Sequence, residues 1–198
     1  MKELKIRMTL TEEALGMTPA DPDIYDTFIA SNAPDALNRE EEIAQFGVDA
    51  VKERGTTIFP RTDDGAPFLW DYQIKGFFKD TVGMLRRIPG TACSKVKAFK
   101  KEIDGLLFVT DRMNPINISG PIGVCQRPLR TEGPSGCFTA LASSESVPAG
   151  STIECTLMLM RDDMEAWVTE CLDYGRLRGL GQWRNSGKER FVWEIVQE

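Results

Sequence analysis

Histidine is absent from this chain of 198 residues. It is the most common general base near neutral pH and a frequent zinc ligand, so mechanisms and zinc sites that require histidine are excluded. Cysteine is present, but the residues are widely spaced and none belongs to a C-x-x-C pair. They are Cys93, Cys125, Cys137, Cys155 and Cys171. We therefore expect reduced, mostly buried thiols, no metal and no cofactor.

Long apolar runs are absent too. No stretch approaches the roughly 20 apolar residues that a helix needs to cross a bilayer. Residues 1–5 lack the apolar core of a signal peptide. These absences predict a cytoplasmic protein with no membrane partner. A hydrophobic content of 41% provides for a substantial core, so we expect one domain over residues 1–198.

Charge is distributed unevenly along the chain, whose net charge is -6. Residues 1–70 hold 14 acidic and 7 basic residues, whereas residues 71–101 hold 8 basic and 2 acidic residues. Within the acidic part, residues 17–55 contain Pro-Asp turns and two acidic stretches with helical spacing. This pattern predicts a mostly helical, acidic insertion after the first strand. The segregation permits a positive surface on an acidic protein.

Residues 174–191, which we call the glycine loop, combine glycines, basic residues and an aromatic side chain. Glycine lets a main chain approach a ligand closely. Arginine and lysine neutralise phosphate, and Trp183 offers a ring face on which a base can stack. The composition predicts contact with nucleic acid or a nucleotide. The competing interpretation makes Trp183 a core anchor, since tryptophan is large and often buried.

Hydrophobic periodicity predicts an α+β fold. Residues 4–10 alternate apolar and polar side chains, as in a half-buried strand, and residues 73–87 form an amphipathic helix. The apolar face of this helix comprises Ile74, Phe77, Phe78, Val82 and Leu85. Gly76 lies inside the helix at a cost of roughly 1 kcal/mol, which predicts a closely packed neighbour.

The remaining elements complete a recognisable order. Strands are predicted over residues 56–59, 105–109, 122–127, 138–142, 152–160 and 191–196, and a second helix, capped by Asp162 and Asp163, over residues 164–174. This order predicts a modified ferredoxin-like (RRM-like) fold, with an antiparallel sheet and helices on one face.

Three segments carry motifs in a fixed order. Residues 64–79 contain Gly-Ala-Pro, a short turn and Ile-Lys-Gly in the predicted helix, and residues 145–154 contain Val-Pro-Ala-Gly-Ser-Thr before a strand. The glycine loop follows the second helix and precedes the last strand. This ordered set resembles the RAMP superfamily of CRISPR effector proteins, above all the backbone subunits that line up along a guide RNA. The likeness covers most of the chain outside residues 17–55.

The resemblance implies binding of single-stranded nucleic acid, with guide-type RNA favoured, and self-association or other RAMP-type subunits as further partners. It places Lys75 at a helix N-terminus, where backbone N–H groups favour phosphate. Ordinary surface positions for Lys75 and Lys79 are the alternative. The candidate nucleic-acid contacts are Lys75, Lys79, Arg127, Arg130, Arg176, Arg178, Gly179, Gly181, Gln182, Trp183, Arg184 and Lys188.

Two departures from the RAMP pattern bear on catalysis. The histidine-dependent nucleases of the superfamily have no counterpart here. The aspartate of the target-cleaving subunits would fall near residues 54–56, which contain no carboxylate. We therefore expect a non-catalytic member with no catalytic residue. Asp63 and Asp64, like Asp21 and Asp23, are interpreted as turn and capping residues, with metal binding in a metal-dependent ribonuclease as the alternative.

A further alternative concerns the acidic insertion. Residues 17–55 could imitate nucleic acid or occupy a basic groove, as in a virus- or mobile-element-encoded protein that docks on a CRISPR defence complex or inhibits it. At this stage RNA, DNA and a small nucleotide are all compatible ligands.

Overall fold

The computed structural model describes residues 1–20, 56–133 and 136–196, and over residues 129–141 it describes the backbone alone. The predicted acidic insertion, from residue 21 onward, lies outside the described residues, as do Asp21 and Asp23. The strands are β1 (Lys2–Leu10), β2 (Ala14–Leu15), β3 (Thr18–Pro19), β4 (Thr56–Ile58), β5 (Phe68–Trp70), β6 (Leu107–Val109), β7 (Met113–Asn117), β8 (Gly123–Gly133), β9 (Gly136–Val147), β10 (Thr152–Leu159) and β11 (Phe191–Ile195). The α-helices are α1 (Asp71–Leu85), α2 (Phe99–Leu106) and α3 (Met164–Tyr174).

The main sheet has the strand order β11-β1-β10-β7-β5, with β6 pairing a second stretch of β10. All of its pairs are antiparallel. With α1 between β1 and β6, and α3 between β10 and β11, this arrangement confirms the predicted α+β, ferredoxin-like class. The helix α2 and the short strands β5 and β7 were not predicted.

Alternation of side chains positions the helices on one face of the main sheet. Leu4, Ile6 and Met8 of β1 are buried, whereas the intervening Lys5 is exposed. Helix α1 contacts β6 and α3, and α3 contacts β11. All five residues of the predicted apolar face of α1 are buried, which confirms that prediction. Phe77 packs edge-on against Phe191 of β11, with ring centres 5.2 Å apart.

The end of α3 was predicted well, but its cap was not. Helix α3 spans Met164–Tyr174 as expected, and Asp163 occupies the N-cap position. Its side chain caps no backbone group and instead accepts a hydrogen bond from Arg161 Nε at 3.0 Å. None of the described helices is long and apolar enough to span a membrane.

A second sheet lies beside the first, with the order β2-β9-β4-β3 and β8 paired to β9. The strands β8 and β9 form a long antiparallel hairpin, and β4 joins β9 in parallel. Chain segment 11–16 connects this sheet to the glycine loop, since Thr11 N donates to Arg190 O at 2.8 Å and Gly16 N donates to Glu145 O at 2.8 Å. The second sheet therefore positions one side of the candidate site.

Candidate nucleic-acid interface

A cavity of about 700 Å³ lies between the first turns of α1 and the glycine loop. Its lining residues are Met17, Thr18, Pro19, Ala20, Pro60, Trp70, Tyr72, Gln73, Gly76, Leu180, Gly181, Gln182 and Arg184. The two segments that the sequence singled out, residues 64–79 and the glycine loop, thus face each other across a space large enough for a nucleotide-sized ligand. Of the predicted contacts, Gly181, Gln182 and Arg184 line it.

Two aromatic rings at the start of α1 form one wall of the cavity. The rings of Trp70 and Tyr72 are nearly parallel, at 14° and with centres 6.2 Å apart, and Tyr72 is 55% exposed. Arg112 lies over the Trp70 ring at 5.5 Å and pairs with Asp71 at 3.2 Å. These two rings were not among the predicted contacts. The available signal was the pair of aromatic residues in the Trp-Asp-Tyr-Gln sequence directly before Ile-Lys-Gly.

Gly76 opens the same wall. A Cβ atom built on Gly76 would meet no described atom within 4 Å. The prediction of a closely packed neighbour is therefore wrong for the part of the chain that the structure describes. Glycine at this position instead leaves space in the cavity.

Glycines in the glycine loop let two parts of the loop pack closely against each other. A Cβ atom on Gly179 would lie 2.1 Å from Lys188 O, and one on Gly181 would lie 2.6 Å from a carboxylate oxygen of Glu189. Gly179 and Gly181 therefore let the returning segment approach, which is a structural reason for them that the sequence did not reveal.

Glu189 organises this packing from inside the loop. It is 2% exposed and has a left-handed φ of 65°. Its carboxylate accepts the backbone N–H of Trp183 at 3.0 Å, together with those of Gly181 and Leu15. Burial raises the pKa of Glu189 to about 7, although these hydrogen bonds act to lower it.

The arginines of the loop are anchored to α1 by a shared carboxylate. Asp80 accepts a bidentate pair of hydrogen bonds from Arg178, one of them at 3.1 Å, and Arg184 Nε lies 3.2 Å from the same carboxylate. The hydrogen bond to Asp80 raises the pKa of Arg178. Arg184 Nη1 also donates to Gly181 O at 2.5 Å. These contacts fix Arg184, which lines the cavity, and Arg178 on the same carboxylate, so that two positive charges face one negative charge.

Arg127 and Trp183, both predicted contacts, lie against each other. The Arg127 guanidinium carbon is 3.3 Å from the Trp183 ring centre, and Arg127 Nη2 donates to Ser144 Oγ at 3.1 Å. Trp183 is half-buried, so it is neither a core anchor nor a fully open ring. Nearby, Lys188 pairs with Glu13. The hydrogen bond from Lys188, and then that from Ser146, lower the pKa of Glu13.

Lys75 and Lys79 face a different neighbour. Lys75 is the fifth residue of α1, one turn beyond its N-terminus, so its expected place at the helix N-terminus is wrong. Its Nζ donates to Asp104 O at 3.1 Å and lies 4.9 Å from the Phe108 ring centre. Desolvation lowers the pKa of Lys75. Lys79 pairs with the Asp104 carboxylate at 2.5 Å. Neither lysine lines the cavity.

Three predicted contacts remain. Arg176 and Gln182 are exposed, and neither side chain has a partner among the residues that the structure describes. Arg130 lies in β8, pairing with Thr139, in the part where only the backbone is described. Its side-chain role stays a prediction.

The acidic pair after β4 forms a turn, as the sequence indicated. Thr62 Oγ1 donates to the Asp64 carboxylate, and Gly65 has a φ of 87°. The hydrogen bond from Thr62 lowers the pKa of Asp64. Asp63 and Asp64 are exposed, and no group of three or more cysteine, aspartate or glutamate side chains suited to a metal occurs within the described ranges.

The open face of the main sheet offers a second surface with different chemistry. At its centre Arg7 is held by two carboxylates, Glu154 at 2.7 Å and Glu194 at 2.9 Å. A cation already paired twice has little remaining attraction for phosphate. The cavity, with its rings and rim arginines, is therefore the better candidate for stacking a base and neutralising a phosphate.

The sequence matches no family model and no curated protein. Solved structures do match its fold. A chain of the "Type III-B Cmr-beta bound to cognate target RNA" is 12% identical, with a TM-score of 0.54 over 99% of this chain. This chain spans 60% of the length of that one. A chain of a "Type IV-B CRISPR Complex" is 12% identical over 98% of this chain and 90% of its own length, with a TM-score of 0.48. The first likeness shows a shared fold.

Proposed function

We propose that this chain is a non-catalytic, RAMP-like nucleic-acid-binding subunit of a CRISPR-type effector assembly, and that it holds single-stranded RNA in the cavity between α1 and the glycine loop. One observation carries the proposal. The two segments with RAMP-like motifs enclose a cavity of about 700 Å³ that contains stacking rings and a rim arginine.

Each wall of the cavity has a distinct part in binding. Tyr72, exposed and parallel to Trp70, provides a ring face on which a base stacks, an interaction worth about 1–3 kcal/mol per base. Arg184 lines the cavity and shares the Asp80 carboxylate with Arg178, so this group keeps a net positive charge for the phosphate that follows. Gln182 offers an exposed amide to a base edge or a ribose hydroxyl.

The choice of RNA and of a CRISPR-type assembly is supported by the solved structure with the shared fold, the Type III-B Cmr-beta bound to cognate target RNA. The motif resemblance points the same way. Other subunits, or further copies of this chain, are the partners that we propose on this basis.

The proposal of a non-catalytic role rests on the residues present. The chain has no histidine, and the Asp63–Asp64 pair lies in a tight turn in which the Asp64 carboxylate is engaged by Thr62. Asp71, between the lining residues Trp70 and Tyr72, pairs with Arg112, and Asp80 and Glu189 each accept hydrogen bonds that hold the glycine loop.

A cavity-filling variant tests the function without weakening the fold. We expect Gly76→Leu to place a side chain in the cavity and to abolish binding of labelled single-stranded RNA, while the helix gains stability. Gly105→Leu is the matched control, because Gly105 also lies in a helix with no atom within 4 Å of a built Cβ, but outside the cavity. Binding would be measured for RNA and DNA over a salt series.

Two outcomes would contradict the proposal. One is that the unchanged protein binds no single-stranded nucleic acid even at low salt. The other is that Gly76→Leu binds as well as Gly105→Leu.

A further inference from the structure

Residues 86–101, which we call the basic segment, carry six positive charges and no negative charge. The segment runs from the end of α1 through a 3-10 turn (Cys93–Lys95) into the first turn of α2. The six cations are all exposed: Arg86, Arg87, Lys95, Lys97, Lys100 and Lys101. The proposed function does not use this concentration of charge.

The acidic side chains on the neighbouring elements already have other partners. Asp80 pairs with Arg178, Asp104 with Lys79, and Glu102 with Arg161. Glu170 of α3 accepts the backbone N–H groups of residues 92 and 93 at 3.1 and 2.8 Å. None of the six cations forms an ion pair with a described residue, so their charge is directed at solvent.

The fold orders the backbone of the basic segment and places two of its cations at an unfavourable position. Glu170 fixes the 3-10 turn through the two backbone hydrogen bonds, and Arg86 lies over the Phe99 ring at 5.1 Å. Lys100 and Lys101 occupy the first turn of α2, where the helix dipole disfavours a positive charge. An anion bound across this turn would remove that disadvantage.

The basic segment is continuous with the candidate site. A recess of about 330 Å³ is lined by Lys79, Asp80, Gly83, Met84, Arg86, Arg87 and Phe99. Asp80 is also the residue that anchors Arg178 and Arg184 of the glycine loop. A row of positive groups therefore leads from the rim of the cavity, past Asp80, onto the basic segment.

We propose that the single strand leaving the cavity continues across the basic segment, where the lysines and arginines contact its phosphates without reading its sequence. This inference rests on the proposed function and extends it by defining a second, purely electrostatic part of the interface. Phosphate contacts of this kind release counterions and give a steep salt dependence.

Two lengths of labelled RNA separate the two parts of the interface. A strand of about 4 nucleotides covers the cavity, and one of about 16 nucleotides also reaches the basic segment. For the long strand, the logarithm of the association constant falls as the logarithm of salt concentration rises. We expect the double variant Lys100→Gln with Lys101→Gln to make this slope less steep by about 1.4, at about 0.7 for each lost contact. Binding of the short strand should not change.

A matched control removes the same charge elsewhere. Lys2→Gln with Lys5→Gln lies on β1, outside the cavity and the basic segment, and should leave both slopes unchanged. A long-strand slope equal to that of the unchanged protein would overturn the inference. An unchanged long-strand slope is also what we expect if the basic segment binds an acidic protein and not RNA. If Gly76→Leu leaves short-strand binding intact, the proposed function itself fails, which is a separate result.

Discussion

The guanidinium carbon of Arg127 lies 3.3 Å from the ring centre of Trp183. This contact joins the hairpin of β8 and β9 to the glycine loop, because Arg127 lies in β8 and also bonds to Ser144 of β9. Two residues predicted as separate nucleic-acid contacts are therefore partners of each other. Their first effect is to hold the loop against the second sheet.

Removing this contact should destabilise the fold modestly. Arg127→Gln loses the cation–π interaction with Trp183, and we expect the free energy of unfolding to fall by about 1 kcal/mol. Urea unfolding measures the change. Arg176→Gln, at an exposed position in the same loop, should shift stability by no more than about 0.5 kcal/mol. Equal effects of the two substitutions would argue against the contact.

The anchor of the loop on α1 should matter more. Asp80→Asn leaves Arg178 and Arg184 without their carboxylate, and we expect a loss of about 2 kcal/mol, since hydrogen bonds to charged groups are worth about 1.5–3 kcal/mol. Asp80 is only 15% exposed. The control, Asp104→Asn, breaks a pair in which the carboxylate is 56% exposed, and it should cost less stability than Asp80→Asn because solvent screens exposed ion pairs. A larger loss of stability from Asp104→Asn than from Asp80→Asn would contradict this prediction.

Glycines inside and outside the loop should respond to alanine with opposite signs. Gly179→Ala forces a Cβ atom against Lys188 O, 2.1 Å away, and should cost about 1–3 kcal/mol. Gly105→Ala, in open space within α2, should stabilise by about 0.5–1 kcal/mol. Thermal unfolding of both variants measures this. Stabilisation by Gly179→Ala would show that the loop is not packed as described.

The raised pKa of Glu189 predicts how the stability of the fold depends on pH. Its pKa is about 7 in the folded state against an ordinary value of 4.5, so between these pH values the folded state holds a proton that the unfolded state has lost. Stability due to this group is present below pH 4.5 and falls as pH rises, by about 1.4 kcal/mol per pH unit and about 3 kcal/mol in all.

The variant Glu189→Gln isolates this effect, because glutamine does not titrate. The free energy of unfolding of the unchanged protein, minus that of the variant, should fall by about 3 kcal/mol between pH 4.5 and 8. Urea unfolding across this range measures it. If this difference in the free energy of unfolding stays constant with pH, Glu189 does not have the raised pKa of a buried carboxyl.

Local pattern was enough to predict β1, β6, β10 and β11 of the main sheet and the helices α1 and α3, whereas β5 and β7 were missed. The alternation in β1 and the apolar stripe of α1 follow from burial on one face, which a short window of sequence records. Strands were predicted at β4, β8 and β9 of the second sheet, but β2 and β3 were not, since they are two residues long and are stabilised by pairing with β9 and β4. Such long-range pairing leaves little trace in local periodicity.

The candidate site was predicted in outline and not in its contacts. The glycine loop and the start of α1 do meet, but Lys75 bonds to Asp104, 29 residues away, a partner that no local pattern identifies. The glycines of the loop were interpreted as space for a ligand, whereas Gly179 and Gly181 accommodate the loop itself. The space for a ligand is at Gly76 of α1, which was expected to be packed.

Photocrosslinking shows which residues of the cavity contact a bound RNA strand. Single-stranded RNA carrying a photoreactive base would be bound to the unchanged protein, irradiated and digested, and the crosslinked peptides identified by mass spectrometry. We expect crosslinks at Trp70 or Tyr72 and within residues 180–184, all of which Gly76→Leu removes and Gly105→Leu retains. Crosslinks confined to the open face of the main sheet, around Arg7, would contradict it.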